Sequence, residues 1–155
     1  MSEIYQMAGH LIRRLQQISV SVFTEHMRAA GYDLTPVQFA ALSAIDANPE
    51  VDQVTLAGLI AYDPVTLSGV IDRLQKKGLV SRAVSPRDRR ARVIALTPKG
   101  EKLLTACQPL VRELQMDILS GLDPDERATF LRLLDKAAST GNEQSRAPLR
   151  SRGAG

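Results

Sequence analysis

Apolar residues at Ile4, Met7, Leu11, Leu15, Ile18 and Val22 recur in steps of three and four. This spacing predicts one face of a long helix over Glu3 to Ala30, with Gly31 ending it. At 1.5 Å per residue such a helix runs roughly 40 Å, more than one small domain can cover, so part of it is expected to pack on a second copy. Leu34-Thr35-Pro36 then starts a new helix, with Thr as cap and Pro in the first turn. It continues through Phe39, Leu42 and Ile45 and stops before Asn48-Pro49. Thr55 is the expected cap of a short helix carrying Leu56, Leu59 and Ile60, and Asp63-Pro64 repeats the cap-plus-proline start. From Val65 to Lys77 the pattern buries Leu67, Val70, Ile71 and Leu74, and Gly78 closes the helix.

Leu79 to Val84 and Ala91 to Leu96 read as two short strands around the turn-forming stretch Ser85-Pro86-Arg87-Asp88-Arg89-Arg90. Thr97-Pro98 opens a helix to about Ser120, and Asp123-Pro124-Asp125-Glu126 is a capping box for the last one. The expected fold class is mainly α with a small β wing, a winged helix-turn-helix. Residues 34–96 form its lobe, flanked by helices over 3–30 and 97–138 in a single domain spanning 3–138. Beyond Ser139 the composition turns to Gly, Ser, Arg, Pro and Ala, which predicts a disordered tail over 139–155.

Composition narrows the function classes. With 44% hydrophobic and 24% charged residues, the chain is ordinary for a globular domain. The longest uncharged run, Leu34 to Ile45, is too short to span a bilayer, so no membrane partner is expected. The N-terminus lacks a basic-then-apolar export signal, and the lone Cys107 excludes a disulfide framework and a cysteine-rich metal centre. A reducing, cytoplasmic compartment fits best. Two histidines and one cysteine, far apart, with no glycine-rich phosphate loop and no nucleophile elbow, argue against an enzyme. No cofactor and no metal are expected.

Charge is unevenly placed. Between Pro64 and Lys99 stand nine basic residues against Asp72 and Asp88, a net +7 over 36 residues, while the rest of the chain sums to −4. A positive block on a mildly negative chain is the footprint of a polyanion-binding face. In the helix after Pro64, assigning the apolar stripe to the core leaves Val65, Thr66, Ser68, Gly69, Asp72 and Arg73 facing out. Small side chains there allow close approach to base edges in a groove about 12 Å wide. The hairpin turn is stronger still: Arg82, Arg87, Arg89, Arg90 and Arg92 face only Asp88, and that repulsion is relieved when a polyanion meets it. A winged-helix module for protein contacts remains the alternative, and salt dependence separates the two.

The block from Asp63 to Leu104 resembles the core of the multiple-antibiotic-resistance regulator (MarR) family. Asp88-Arg89-Arg90, followed by Val93, Leu96-Thr97 and Gly100, carries the most specific part of the match, and Leu34 to Ile45 resembles the family's second helix. The similarity covers roughly Met7 to Ala138. It implies a triangular homodimer joined by the first and the last two helices, with two winged lobes on a pseudo-palindromic double-stranded DNA operator. It implies a repressor, in a prokaryotic cytoplasm beside the nucleoid. By the same resemblance, the residue matching Arg90 enters the minor groove and Asp88 supports it, while Gly69 replaces the larger polar or basic side chain common in the family. Members often bind small aromatic acids between the dimer helices and the lobe. His10, Arg13 and Arg14 are the candidates for such an effector, with His26 and Tyr62. A regulator without any small-molecule ligand is the alternative. Redox-sensing members carry a cysteine near the start of the first helix, where this chain has none.

Overall fold

The computed structural model describes residues 1–152. After a 3-10 turn at Glu3–Gln6 come helix α1 (Ala8–Ala29), α2 (Pro36–Ala47), the short strand β1 (Val51–Asp52), α3 (Gln53–Leu59) and α4 (Pro64–Lys76). The hairpin β2 (Val80–Val84) and β3 (Arg92–Leu96) follows, then α5 (Pro98–Ile118) and α6 (Pro124–Thr140). The fold is mainly α with a small β wing, as expected. No single helix among the described residues is long and apolar enough to cross a membrane.

Four helices start by one device. Thr35, Asp63, Thr97 and Asp123 each stay extended and accept the backbone N–H three residues on, with a proline at the first helical position. The caps satisfy otherwise orphaned donors, and the proline has no N–H to lose. Helix α3 departs from the expectation: its cap is Asp52, not Thr55. The Asp52 carboxylate accepts from both Thr55 N (2.7 Å) and Thr55 Oγ1 (3.0 Å), so Thr55 is the capped residue. The first helix also departs. Extended backbone at Met7 separates α1 from the N-terminal turn, so it is not continuous from Glu3.

Strand β1 was not foreseen. It adds to β3 antiparallel, Val51 facing Ile94, and gives a sheet ordered β1-β3-β2. The core lies in the lobe, where Leu42, Leu56, Leu67, Ile71, Leu74 and Ile94 are buried. Phe23 and Met27 from α1, with Leu104, Cys107 and Leu114 from α5, extend it into the base of the long helices. Farther out the burial stops. Helix α6 buries none of its residues, and Leu11, Ile12, Ile18, Met116 and Leu131 are exposed.

The chain beyond Ser139 corrects the expectation of a disordered tail. Helix α6 continues to Thr140, a 3-10 turn spans Asn142–Gln144, and residues to Arg152 fold back onto the lobe. Composition foretold disorder because these side chains cannot build a core of their own. Side-chain hydrogen bonds order them instead, with Asn142 bonding Leu149 and Glu143 holding Arg150. Residues 153–155 of the expected tail lie outside the described residues.

Two contacts place the wing and the long helices. The start of α5 sits against the turn after α4: Thr97 Oγ1 donates to Gly78 O (2.6 Å) and Thr97 N to Leu79 O (3.0 Å). A Cβ at Gly100 would stand 2.1 Å from Leu79 O. We therefore expect Gly100→Ala to lose on the order of 2–3 kcal/mol in urea denaturation, because backbone must move; wild-type stability would refute the close approach. Between α1 and α5, His26 Nε2 lies 2.8 Å from Asp117 Oδ2 and Nδ1 2.9 Å from Val22 O. Two acceptors around one imidazole favour its doubly protonated form. The Val22 carbonyl first, then Asp117 and Glu113, raise its pKa above 6.5 against the effect of burial. The stabilisation is therefore full below the ordinary pKa and is lost as pH rises through the raised one. The stability advantage of wild type over His26→Gln should be full below about pH 6.5 and shrink as pH rises above it; a difference independent of pH would count against the pair.

Candidate nucleic-acid interface

Helices α3 and α4 meet at 108°, the geometry of a helix-turn-helix. Between them Ala61 adopts φ +54°, a left-handed conformation that a non-glycine residue holds only under constraint. Tyr62 N bonds Ala57 O (3.0 Å) and so fastens the turn to α3. Asp63 then starts α4, its carboxylate accepting from Thr66 N (2.9 Å) and Thr66 Oγ1 (2.7 Å). These bonds, the backbone one first, hold the Asp63 carboxyl below the ordinary range.

The outward face of α4 is the one expected from its pattern. Leu67, Val70, Ile71 and Leu74 are buried, while Val65 is 85% exposed and Thr66 and Arg73 are exposed beside half-buried Ser68 and Gly69. Thr66 has its hydroxyl proton committed to Asp63, so towards solvent it offers an acceptor and a methyl group. The space left by Gly69 has a neighbour: a Cβ there would lie 3.9 Å from Arg73 Nη1. The guanidinium of Arg73 thus reaches over the position where a larger side chain would stand.

The wing separates its arginines into two groups. Arg82 turns inward, donating to Asp72 Oδ1 (2.6 Å), Gln75 Oε1 (3.2 Å) and Gln53 Oε1 (3.2 Å). It braces β2 against α3 and α4, so it does not add to the free charge with which it was counted. At the tip, Ser85 Oγ accepts from Arg87 N and Asp88 N, and Asp88 Oδ1 accepts from Arg90 N (2.9 Å). Asp88 therefore shapes the backbone of the turn and holds no guanidinium. Arg87 is 85% exposed and only 3.6 Å from Glu50 Oε2. Arg89, Arg90 and Arg92 are exposed and make no side-chain hydrogen bond or ion pair among the described residues. A concentration of unpaired cations on a turn favours a partner that brings phosphate.

The brace through Asp72, Gln53 and Gln75 was missed from sequence. Its members are seven to 29 residues from Arg82 and follow no periodicity, so opposite charge on neighbouring elements was the only signal.

The effector candidates do not form one cluster. His10 and Arg13 meet, Nδ1 to Nη2 at 3.5 Å, and Arg13 also donates to Gln17 Oε1 (3.2 Å). Tyr5 packs edge-on against the His10 ring, and His10 Nε2 is buried without a hydrogen-bond partner among the described residues. Arg14 is exposed beside them on α1. His26 belongs to the Asp117 pair near the other end of α1, and Tyr62 to the turn before α4. A separate apolar groove of about 730 Å³ runs between α1, α5 and α6, lined by Leu11, Leu15, Met116, Phe130 and Leu134. Cys107 lies in the core, and burial pushes its thiol pKa up, away from reactivity. Among the described residues no group of three His, Cys, Asp or Glu side chains is placed to hold a metal.

Known proteins agree with this architecture. Residues 32–91 match the model of the MarR family. The chain is 31% identical over 134 residues to the HTH-type transcriptional repressor NicR of Pseudomonas putida, covering 86% of this chain and 84% of that one. Among solved structures, BpsR of Bordetella bronchiseptica, whose DNA binding is regulated by 6-hydroxynicotinic acid, superposes with a TM-score of 0.81 at 30% identity. That match covers 89% of this chain and 97% of BpsR. The transcriptional repressor CouR, bound to a 23-mer DNA duplex, gives 0.80 at 31% identity over 89% and 96% of the two chains. With the same order of elements, the same winged lobe and this level of identity along most of its length, the chain belongs to the MarR family of transcriptional regulators.

Proposed function

We propose that this protein is a repressor that reads double-stranded DNA as a homodimer. Two copies pair through the exposed apolar residues of α1, α5 and α6 and present two winged lobes to a pseudo-palindromic operator. In each lobe α4 enters the major groove, with Val65, Thr66, Ser68, Gly69 and Arg73 towards the bases. The wing tip with Arg87, Asp88, Arg89 and Arg90 follows the backbone into the adjacent minor groove, where the potential is most negative. The single observation that carries this reading is the set of unpaired guanidinium groups on the wing. The duplex-bound state of CouR supports it by analogy.

A small aromatic acid releases the operator in this proposal. The regulation of BpsR by such an acid supports it, and so does the basic group at the start of α1. There His10 keeps a buried nitrogen without a partner, and Arg14 makes no side-chain hydrogen bond or ion pair among the described residues. A carboxylate can pair with the arginine while the ring packs among the neighbouring apolar residues. His26 and Tyr62 stand apart from this group and take no direct part in the contact.

Two experiments test these assignments. In the first, a duplex selected from a random-sequence pool is titrated at several salt concentrations. Replacing Arg90 with Ala should weaken binding by about tenfold or more and reduce the log–log salt slope by about 2, one phosphate contact from each wing. Its size by gel filtration should stay that of wild type. Undiminished affinity would remove the wing tip from the interface, and a flat salt response in wild type would favour a protein-binding module. In the second, a panel of benzoate- and nicotinate-type acids is screened by thermal shift, since ligands that bind the folded state raise its melting temperature. We expect Arg14→Ala to lose most of the shift given by the best acid; an equal shift would take Arg14 out of the site.

A further inference from the structure

The segment after α6 does more than cover surface. The backbone N of Arg150 donates to Gly58 O on α3 at 2.7 Å. Its side chain lies across the same glycine: a Cβ built at position 58 would stand 2.9 Å from Arg150 Cβ and 3.4 Å from Cγ. Arg152 Nη2 donates to Pro49 O at 2.9 Å. The segment is also closed on itself. Asn142 Oδ1 accepts from Leu149 N (2.8 Å), Asn142 Nδ2 donates to Leu149 O (3.1 Å), and both Glu143 oxygens hold the Arg150 guanidinium (2.6 and 2.9 Å).

Glycine inside a helix costs about 1 kcal/mol relative to alanine, and α3 has only seven residues over which to recover it. The missing side chain at position 58 has an occupant, and that occupant is Arg150. The far end of the segment meets Pro49, next to the Glu50 that stands beside the wing residue Arg87. Helix α6, which buries none of its own residues, thus gains a second connection to the lobe besides the chain through α5.

We propose that residues 141–152 are an intramolecular strap that ties α6 to α3 and fixes the orientation of the winged lobe against the long helices. Gly58 is its receptor, the Asn142–Leu149 and Glu143–Arg150 pairs are its clasp, and Arg152 anchors its end. The strap itself requires no DNA. Only its consequence, a set separation of the two α4 helices in a dimer, rests on the function proposed above.

Hydrogen exchange and spin-label distances on the full-length protein test it without DNA. In wild type, amides of 141–152 should be protected. They should exchange at least tenfold faster in Gly58→Val, whose methyl groups occupy the place of Arg150, and in Asn142→Ala, which opens the clasp without touching α3. Spin labels on cysteines introduced at exposed Ser81 and Thr129, with labelled chains diluted into excess unlabelled protein, report the lobe against α6; buried Cys107 stays unlabelled. The distance distribution should be narrow in wild type and broad or displaced in both variants. If Gly58→Val fails to fold, Asn142→Ala decides alone. Unprotected exchange of 141–152 in wild type would overturn the strap, as would loss of protection with an unchanged distance distribution.

Discussion

The stripe of Leu67, Val70, Ile71 and Leu74 on α4 governs the interface. Burying each of these side chains stabilises the lobe by roughly 1.5–3 kcal/mol, and all four are almost wholly removed from solvent. Rotation of α4 by one residue, about 100°, would carry Ser68 and Asp72 towards the core. An unpaired carboxylate there costs several kcal/mol. The helix can therefore show only one face to solvent. Val65, Thr66, Gly69 and Arg73 stand outward because their neighbours cannot leave the core.

The wing is positioned by a different force. Its two strands, five residues each, fully bury only Val80 and Ile94, both outside the tip, and β1 adds only two more residues to the sheet. Arg82 compensates by linking β2 to Asp72 and Gln75 on α4 and to Gln53 on α3. Its partly covered guanidinium acts on several acceptors at once, where an isolated surface pair would contribute little. One arginine of the hairpin thus becomes part of the scaffold, Arg87 stands 3.6 Å from Glu50, and Arg89, Arg90 and Arg92 stay unpaired among the described residues. The Ser85 and Asp88 side chains complete this division, since they set the turn through backbone N–H groups and not through guanidinium groups.

Much of this was legible in the sequence, and the reasons are local. Thr35-Pro36, Asp63-Pro64, Thr97-Pro98 and Asp123-Pro124 announce helix starts through groups no more than three residues apart, and the apolar spacing of α4 names its core face directly. What stayed hidden depends on contacts between distant segments. Strand β1 is two residues that become a strand only because β3 lies beside them. Thr55 looked like a cap because a hydroxyl and a carboxylate three residues apart can exchange roles, and the Asp52 carboxylate is the better acceptor. Arg82 differs from Arg90 only in having Asp72 across from it. The order of 141–152 rests on Gly58 and Pro49, about ninety and a hundred residues earlier in the chain. The fold also sets the effector candidates apart in a way spacing does not show: His26 faces Asp117, and Tyr62 sits in the turn before α4.

The distribution of burial explains why the long helices and the lobe obey different rules. The lobe closes its own core, so its shape is set within one chain. Outside it, α6 buries nothing and the outer part of α1 leaves Ile12 61% exposed, with Met116 of α5 at 57%. At roughly 25 cal/mol per Å², covering such a face is worth enough to hold two copies together once the entropy of association is met. That gain does not depend on how the lobe is turned, because the lobe meets the long helices mainly at their base, around Phe23, Met27, Cys107 and Leu114. A pivot of this kind leaves the angle between lobe and helices to weaker contacts. The fold-back of 141–152 onto α3 is a contact of that strength. Few kcal/mol separate one lobe angle from another under such conditions, so contacts worth no more than that suffice to set it.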